Sequence, residues 1–476
     1  MARWTGSFDV VVTEQHLDSH NFHNKPPNMH PIDAFALRAK NYLSHANDDP
    51  VFPSEQTVLD LERLNTSLQE ESIDAKEVLA LLDEVGSPAT VKSTGGRYFG
   101  FVTGGTLPGA MIAKLLSVVW DQNAALSVMS PIASRLEEIT GRWLLEIFGL
   151  PADTGYGFVT GDTMANFTAL AAARHKLLLN AGWDVEAQGL FGAPEITVLV
   201  GNEVHVSVLK ALSMLGLGRE RIIHVPVDGQ GRLIADEIPA VEGPTILCTQ
   251  AGNVNTGAFD DLGSICRKMR NENVWVHVDG AFGLWAAVSH SKKHLLQGIE
   301  EADSWAVDAH KWLNVPYDSG VVFVRDQASL FASMSSSAAY LPTNPVRDAF
   351  NYVPEMSRQA RAIPIWAALK SLGKKGLSDL IDTNCRQAVD FATALTDAGF
   401  TVLNDVVLNQ VMVSFGDTNK TQEVIKAVQQ EGVCWCGGTI WQGRTAMRIS
   451  VSGWCTTDED VQRSLQSIIK HARKDD

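Results

Sequence analysis

Val276-His277-Val278-Asp279-Gly280-Ala281 and Asp308-Ala309-His310-Lys311-Trp312 are the two stretches on which the reading of this chain turns. The first is a β-branched run ending on an acid, and the second sets a lysine 32 positions beyond that acid. A strand over 274–278 is expected to be deeply buried, so Asp279 stands where an ionised carboxylate costs several kcal/mol unless a partner offsets it. Lys311 sits among apolar neighbours beside His310 and Trp312; buried lysine is uncommon and tends to be reactive through a lowered pKa. Taken singly, each residue reads equally well as part of the structural framework.

Outward from these stretches the pattern from Gly95 to about Ala360 alternates short apolar runs with amphipathic segments. Thr197–Val200, Ile222–Val225, Thr245–Cys248, Val274–Val278 and Gly320–Val324 read as buried strands, and the intervening segments as crossover helices. That alternation predicts an α/β fold with a mostly parallel, helix-covered sheet. From about Trp366 onward, helices around 388–395 and 422–430 interleave with Gln410–Phe415 and Met447–Val451, a smaller α+β unit. Residues 1 to about 90 are polar, with helical spacing at Asp33–Leu37 and Thr57–Glu62, and lack the apolar content for a core of their own. The expected domains are therefore 1–95 as an N-terminal arm, 96–365 as the large α/β domain and 366–476 as the small one.

Composition excludes several classes of function. With 476 residues and 45% apolar content the chain can bury a large core, and its net charge of −16 argues against a nucleic-acid partner. Six cysteines in so long a chain make no disulfide framework, and Cys434-Trp435-Cys436 lacks the spacing of a zinc knuckle, so a reducing, cytoplasmic setting is expected. The histidines at 16, 20, 23 and 30 fit no ligand spacing and read as solvated, so no metal is expected. No apolar stretch reaches the ~20 residues of a spanning helix, nor is there a signal-peptide pattern, so no membrane association is expected.

Two further features lie between the sheet signals. Thr160-Gly161-Asp162-Thr163-Met164-Ala165 joins the strand-like Tyr156–Val159 to a helix over 166–178. A glycine turn feeding a helix N-terminus presents unpaired N–H groups and a positive dipole end, which suits a phosphate, though Asp162 or Thr163 also reads as a plain N-cap. Asp162 is awkward beside a phosphate because it is itself anionic. His205 follows a strand and opens a helix, which places it at the ligand-binding edge of an α/β sheet or makes it a partly buried helix-entry histidine.

In this order, glycine turn, histidine, acid and lysine suit one cofactor chemistry, that of pyridoxal 5'-phosphate (PLP). Its aldehyde needs an amine for a Schiff base, and its ring accepts electrons only while a carboxylate keeps the pyridine nitrogen protonated. Lys311 and Asp279 fill those two requirements.

At these residues the chain resembles the group II PLP-dependent amino-acid decarboxylases, the family of the aromatic amino-acid and glutamate decarboxylases. The similarity runs from about Tyr98 to Gly453, and Asp-Ala-His-Lys-Trp at 308–312 is its most specific piece. The resemblance implies a fold-type I PLP-dependent transferase fold, with a seven-stranded-type sheet in the large domain and an active site at a homodimer interface. It implies Lys311 as the Schiff-base lysine, Asp279 on the pyridine nitrogen, Ala281 beneath the ring and His205 above it. Gly161, Asp162, Thr163, Asp308 and His310 would surround the phosphate, with Asn253 also at the cofactor. Phe101, Thr103 and Arg448 would meet the substrate. Tyr340 stands where the family's mobile loop carries the tyrosine that protonates the carbon left by carbon dioxide. Arg358 and Arg361 match a basic pair after that loop, and each of these arginines also reads as a structural ion-pair member.

The chain departs from the family in three places. The loop between Tyr340 and Trp366 is several residues shorter than in the aromatic branch, Ala251–Gly257 replaces a Thr-rich turn, and Tyr98–Gly105 lacks a Phe-Pro-Thr run. These changes leave PLP binding intact and open the substrate's side chain to question. The expected function is decarboxylation of an L-amino acid to its amine, aromatic substrates being favoured. An aldehyde synthase or a carbon–carbon lyase on the same scaffold is the alternative, and a non-catalytic binding homologue the remote one.

Overall fold

The computed structural model describes residues 29–271, 273–336 and 347–473. The expected roles of His16, His20, His23 and Tyr340 fall outside these residues. The chain divides into two compact units, one of residues 1–45 and 54–90, the other of residues 46–53 and 91–476. The first holds short helices, Pro31–His45, Glu55–Leu59 and Ala75–Leu81 among them. Ser54 and Asp74 cap the latter two by accepting backbone N–H bonds at their N-termini.

The second unit is built on a seven-stranded sheet: β1 (Gly155–Val159), β2 (Thr197–Gly201), β3 (Ile223–Val225), β4 (Thr245–Gln250), β5 (Val274–Asp279), β6 (Ser304–Asp308) and β7 (Gly320–Val324). The order is β1-β7-β6-β5-β4-β2-β3. Pairs β6–β5, β5–β4, β4–β2 and β2–β3 are parallel, while β7 runs antiparallel to both β1 and β6. This is the mostly parallel α/β sheet expected, with one strand, β6, that its short Ser-Trp-Ala-Val-Asp sequence did not announce.

Side chains alternate between the two faces, as a period of two requires. Leu199, Leu247, Val276, Val278, Trp305 and Phe323 pack into one apolar layer. Val198, Val200, Ile246, Trp275, Ala306 and Val322 pack into the other, against the alanine-rich helix Asp162–Asn180. Strands buried on both sides explain why these segments read as continuous apolar runs.

A second, antiparallel sheet comprises β8 (Thr401–Val402), β9 (Gln410–Ser414), β10 (Gly437–Trp441) and β11 (Arg444–Ser450), in the order β10-β11-β9-β8. Helices Thr418–Glu431 and Asp458–Ala472 cover it through Val424, Val428, Leu465 and Ile468. A long helical segment, Ala362–Asp397, precedes it and is broken at Gly373, whose φ of 62° lies in the left-handed region that glycine tolerates. Among the described residues no helix is long and apolar enough to cross a membrane.

Candidate functional site

The alternation that buries Trp275 also aims His277 and Asp279 at the N-terminus of helix Asp162–Asn180. Asp279 is the last residue of β5 and Asp308 the last of β6. Both therefore end at the C-terminal edge of parallel strands, where such sheets bind ligands. Lys311 follows three residues after β6. The turn after β1 reaches the same edge: Gly161 precedes the helix, and a Cβ there would come within 2.9 Å of His310 Cε1 and 3.3 Å of Asp308 Oδ1. A Cβ on Gly320, at the start of β7, would lie 2.6 Å from Gly161 Cα. Glycine at both positions is what lets the turn seat against β6 and β7.

The charges converge. Lys311 Nζ lies 3.1 Å from Asp308 Oδ2, and Asp308 Oδ1 accepts the Asp162 backbone N–H at 2.7 Å. Asp279 Oδ1 accepts the Ala281 N–H at 3.2 Å, whereas its Oδ2 is buried and has no hydrogen-bond partner among the described residues. Side-chain atoms of Asp162, His205 and Asp279 all lie within 4.8 Å of one another. Burial, the largest influence on Lys311, pushes its pKa down, but Asp308, Asp162 and Asp279 together outweigh it and hold the amine above its ordinary value. The lowered pKa expected from an apolar sequence context is thus reversed, because three carboxylates converge on this lysine from different elements.

His205 caps the helix Val206–Met214, its Nδ1 accepting the Ser207 N–H at 3.3 Å. It is a helix-entry histidine and also faces the charged cluster. Burial lowers its pKa, with Asp279 opposing. His310 Nδ1 accepts the Ser319 N–H at 3.2 Å, and its ring packs on Tyr317 with centroids 4.4 Å apart.

The other expected residues are placed as follows. Thr163 occupies the helix's first turn, and Ala281 is buried beside Asp279. Asn253 is buried, and its carbonyl accepts from Asn255 N and Thr256 N at 2.9 and 3.2 Å while its amide reaches Gln250 Oε1 at 3.3 Å. Its side chain is spent on its own turn. Phe101 is exposed and stacks on Trp435 with centroids 5.5 Å apart; the N–H of Thr103 closes that loop on Gly100 O at 3.0 Å. Arg448, from β11, donates to Val254 O at 3.3 Å and has no carboxylate partner among the described residues. Burial lowers its pKa, and its charge is felt at His205. Arg358 forms a buried ion pair with Glu137, and Arg361 pairs with Asp318 at 3.3 Å and Glu355 at 3.6 Å.

Three residues near the cluster escaped the sequence reading. Asn166 Nδ2 donates to Asp162 Oδ2 at 2.9 Å, Asn166 Oδ1 meets His277 Nε2 at 2.8 Å, and His277 Nδ1 meets Ser304 Oγ at 2.8 Å. Ser207 Oγ lies 3.0 Å from Asp162 Oδ2. The signal was spacing: Asn166 is one helical turn past Asp162, and His277 shares a strand face with Asp279.

His277 is fully buried, and burial, its largest influence, lowers its pKa to about 4. The neutral ring therefore stabilises the fold above the unfolded value near 6.5, and that contribution is lost as pH falls through about 4. The stability gap between the native protein and His277→Gln, read from urea unfolding, is expected to stay constant above pH 6.5 and shrink by roughly 3 kcal/mol by pH 4. A gap independent of pH would show that His277 does not titrate in this way.

Comparison with known proteins agrees with this geometry. Residues 60–415 match the model of the pyridoxal-dependent decarboxylase conserved domain. An aromatic-L-amino-acid decarboxylase of Bacillus atrophaeus is 26% identical over 447 residues, covering 89% of this chain and 91% of the relative. An L-2,4-diaminobutyrate decarboxylase of Rhizobium meliloti is 29% identical over 391 residues, covering 77% and 75%. The fold matches that of Oryza sativa TDC, solved with PLP and tryptamine, at a TM-score of 0.86 and 20% identity, covering 95% of this chain and 99% of that one. A buried acid with an unsatisfied oxygen and a lysine drawn toward the same cluster are groups of the two kinds, acid and amine, that this cofactor requires. With a family match over most of its length, on a fold of the same kind, this chain belongs to the pyridoxal-dependent decarboxylases.

Proposed function

We propose that the protein decarboxylates an L-amino acid to the corresponding amine, with aromatic substrates ahead of acidic and small aliphatic ones. The observation that carries this reading is the buried, unpartnered Oδ2 of Asp279 in the same charge cluster as Lys311. When bound, the cofactor supplies a protonated ring able to take up the electron pair released with carbon dioxide. Lys311 would join its aldehyde, Asp279 would hold its ring nitrogen, and His205 and Ala281 would flank the ring. The N–H groups at Gly161 and Thr163, with Asp162, His310 and Asp308 behind them, would bound the phosphate end. Arg448 is available to a substrate carboxylate because no acid among the described residues occupies it, and a guanidinium fork suits that group. Phe101 and Thr103 are proposed on the substrate side. The aromatic preference is supported by the relative from Bacillus atrophaeus and by the Phe101–Trp435 stack. Carbon dioxide release from each of the twenty common amino acids by the PLP-loaded protein tests this directly; no release from any of them would overturn it.

A second outcome has support among the relatives, since a phenylacetaldehyde synthase of Arabidopsis thaliana is 24% identical over 375 residues. Such a reaction consumes dioxygen and yields aldehyde, ammonia and hydrogen peroxide in place of amine. We assign Tyr340 the return of a proton to the carbon that has lost carbon dioxide, which favours the amine. Tyr340→Phe is therefore expected to divert product toward aldehyde with matching peroxide; clean amine from that variant would remove Tyr340 from the role.

We further propose a cytoplasmic homodimer whose active site lies at the subunit interface, with 1–95 as an arm, 96–365 as the large domain and 366–476 as the small one. The dimer is supported by the helix Pro108–Trp120, where Ile112, Leu115, Leu116 and Val119 are exposed at the spacing of a single apolar face. The compartment is supported by six cysteines, none of them paired.

A further inference from the structure

Ser207 Oγ has more partners than protons. It lies 2.7 Å from His205 Nδ1, 3.0 Å from Asp162 Oδ2 and 3.2 Å from Asn166 Nδ2. The amide nitrogen can only donate, so the hydroxyl accepts there and has a single proton for the other two contacts. Nδ1 also accepts the backbone N–H of Ser207 at 3.3 Å, which makes it a lone pair rather than an N–H. The hydroxyl proton therefore goes to His205. The contact with Asp162 Oδ2 then lacks a hydrogen unless Asp162 provides one.

The surroundings of Asp162 point the same way. The residue is 5% exposed, and its Oδ1 is buried without a hydrogen-bond partner among the described residues, a costly position for an ionised oxygen. Asp279 faces it from the end of β5 and Asp308 from the end of β6, with His205 beside it and His277 reached through Asn166. Lys311 is the nearby cation, and its ammonium is already bonded to Asp308. Burial, then Asp279 and Asp308, raise the Asp162 carboxyl well above its ordinary range, while Lys311 opposes them.

We propose that Asp162 carries a proton in the native protein and is a positioning residue: through Ser207 it fixes His205 as the tautomer bearing its hydrogen on Nε2, and it leaves Asp279 as the charged acid for the ring nitrogen. The second half of this assignment rests on the cofactor placement given above; the protonation of Asp162 does not. A neutral acid at this position also resolves the conflict of a carboxyl group beside the turn that would hold a phosphate.

Infrared difference spectra of wild type against Asp162→Asn, recorded at neutral pH on both the cofactor-loaded and the cofactor-free protein, test the proton directly. The expected result is a carboxylic-acid C=O band in both forms of the wild type that the variant lacks. Only an ionised-carboxylate band in the difference would overturn the proposal, whatever the protein's activity. Ser207→Ala provides a second route that leaves Asp162 in place: the band should shift in frequency, and an unchanged carboxylic region would overturn the link to Ser207. For the positioning role, Asp162→Ala is expected to lower kcat by about tenfold with little change in KM. Asp162→Asn, whose amide N–H replaces the acid O–H toward Ser207, should recover most of that loss. Equal losses in the two variants would sink the tautomer role, while failure of decarboxylation itself would leave the infrared result standing.

Discussion

Replacing Lys311 with alanine is expected to abolish carbon dioxide release and the visible absorption of the PLP-loaded protein together. The two losses share one cause. The amine at position 311 is the group proposed to join the cofactor's aldehyde, and no other lysine is drawn toward Asp279, Asp308 and Asp162 among the described residues. Covalent catalysis of this kind has no substitute within the cluster, since Asp162, Asp279 and Asp308 are not amines and His205 and His310 cannot form the same linkage. The variant also leaves Asp308 without its cation, so the cofactor-free protein should lose stability, by about 3 kcal/mol or more for an uncompensated buried charge. Absorption spectra before and after adding PLP, with carbon dioxide assayed on the same samples, check both losses. A spectrum unchanged from wild type would refute the assignment of Lys311.

The fold was legible wherever burial writes itself into sequence. β2, β4, β5 and β7 are apolar on both faces, and their runs stand out for that reason. β6 did not stand out, because Ser304 and Asp308 at its ends are polar; they are tolerated there by hydrogen bonds from Trp275 and Asp162, partners distant in sequence. β10 was hidden by its two glycines, and the helix Asp458–Ala472 by a polar, strongly acidic first turn that the capping box at Thr457 and Asp460 satisfies. In the site, Lys311, Asp279 and His205 were readable because buried charge and strand-end position are local signals. The direction of the Lys311 shift was not, since it depends on carboxylates brought together from three elements. The same limit hid the roles of Ser207 and Asn166, whose partners Asp162 and His277 lie 45 and 111 positions away.

Arg358 separates a structural role from a substrate-binding one by where its loss is felt. Its side chain and that of Glu137 are each 1% exposed, and the guanidinium also donates to Phe158 O at 3.2 Å. It thereby ties the helix Pro131–Phe148 to β1, while its backbone N–H reaches Asn123 Oδ1 at 3.3 Å. Removing Arg358 leaves the buried Glu137 with only the more distant Arg347, at 3.5 Å, so Arg358→Met should destabilise the protein by about 3 kcal/mol. Arg358→Lys should recover little, because an ammonium lacks the planar fork that meets Glu137 and the Phe158 carbonyl at once. Replacing both members by apolar residues is expected to return part of the loss, since the cost lies mainly in the under-compensated charge of Glu137, while Arg347 then gives up its partner. Urea unfolding of the two single variants and the double variant, with kcat and KM measured on the folded fraction, decides the matter. A raised KM at unchanged stability would place Arg358 on the substrate, against everything its contacts indicate.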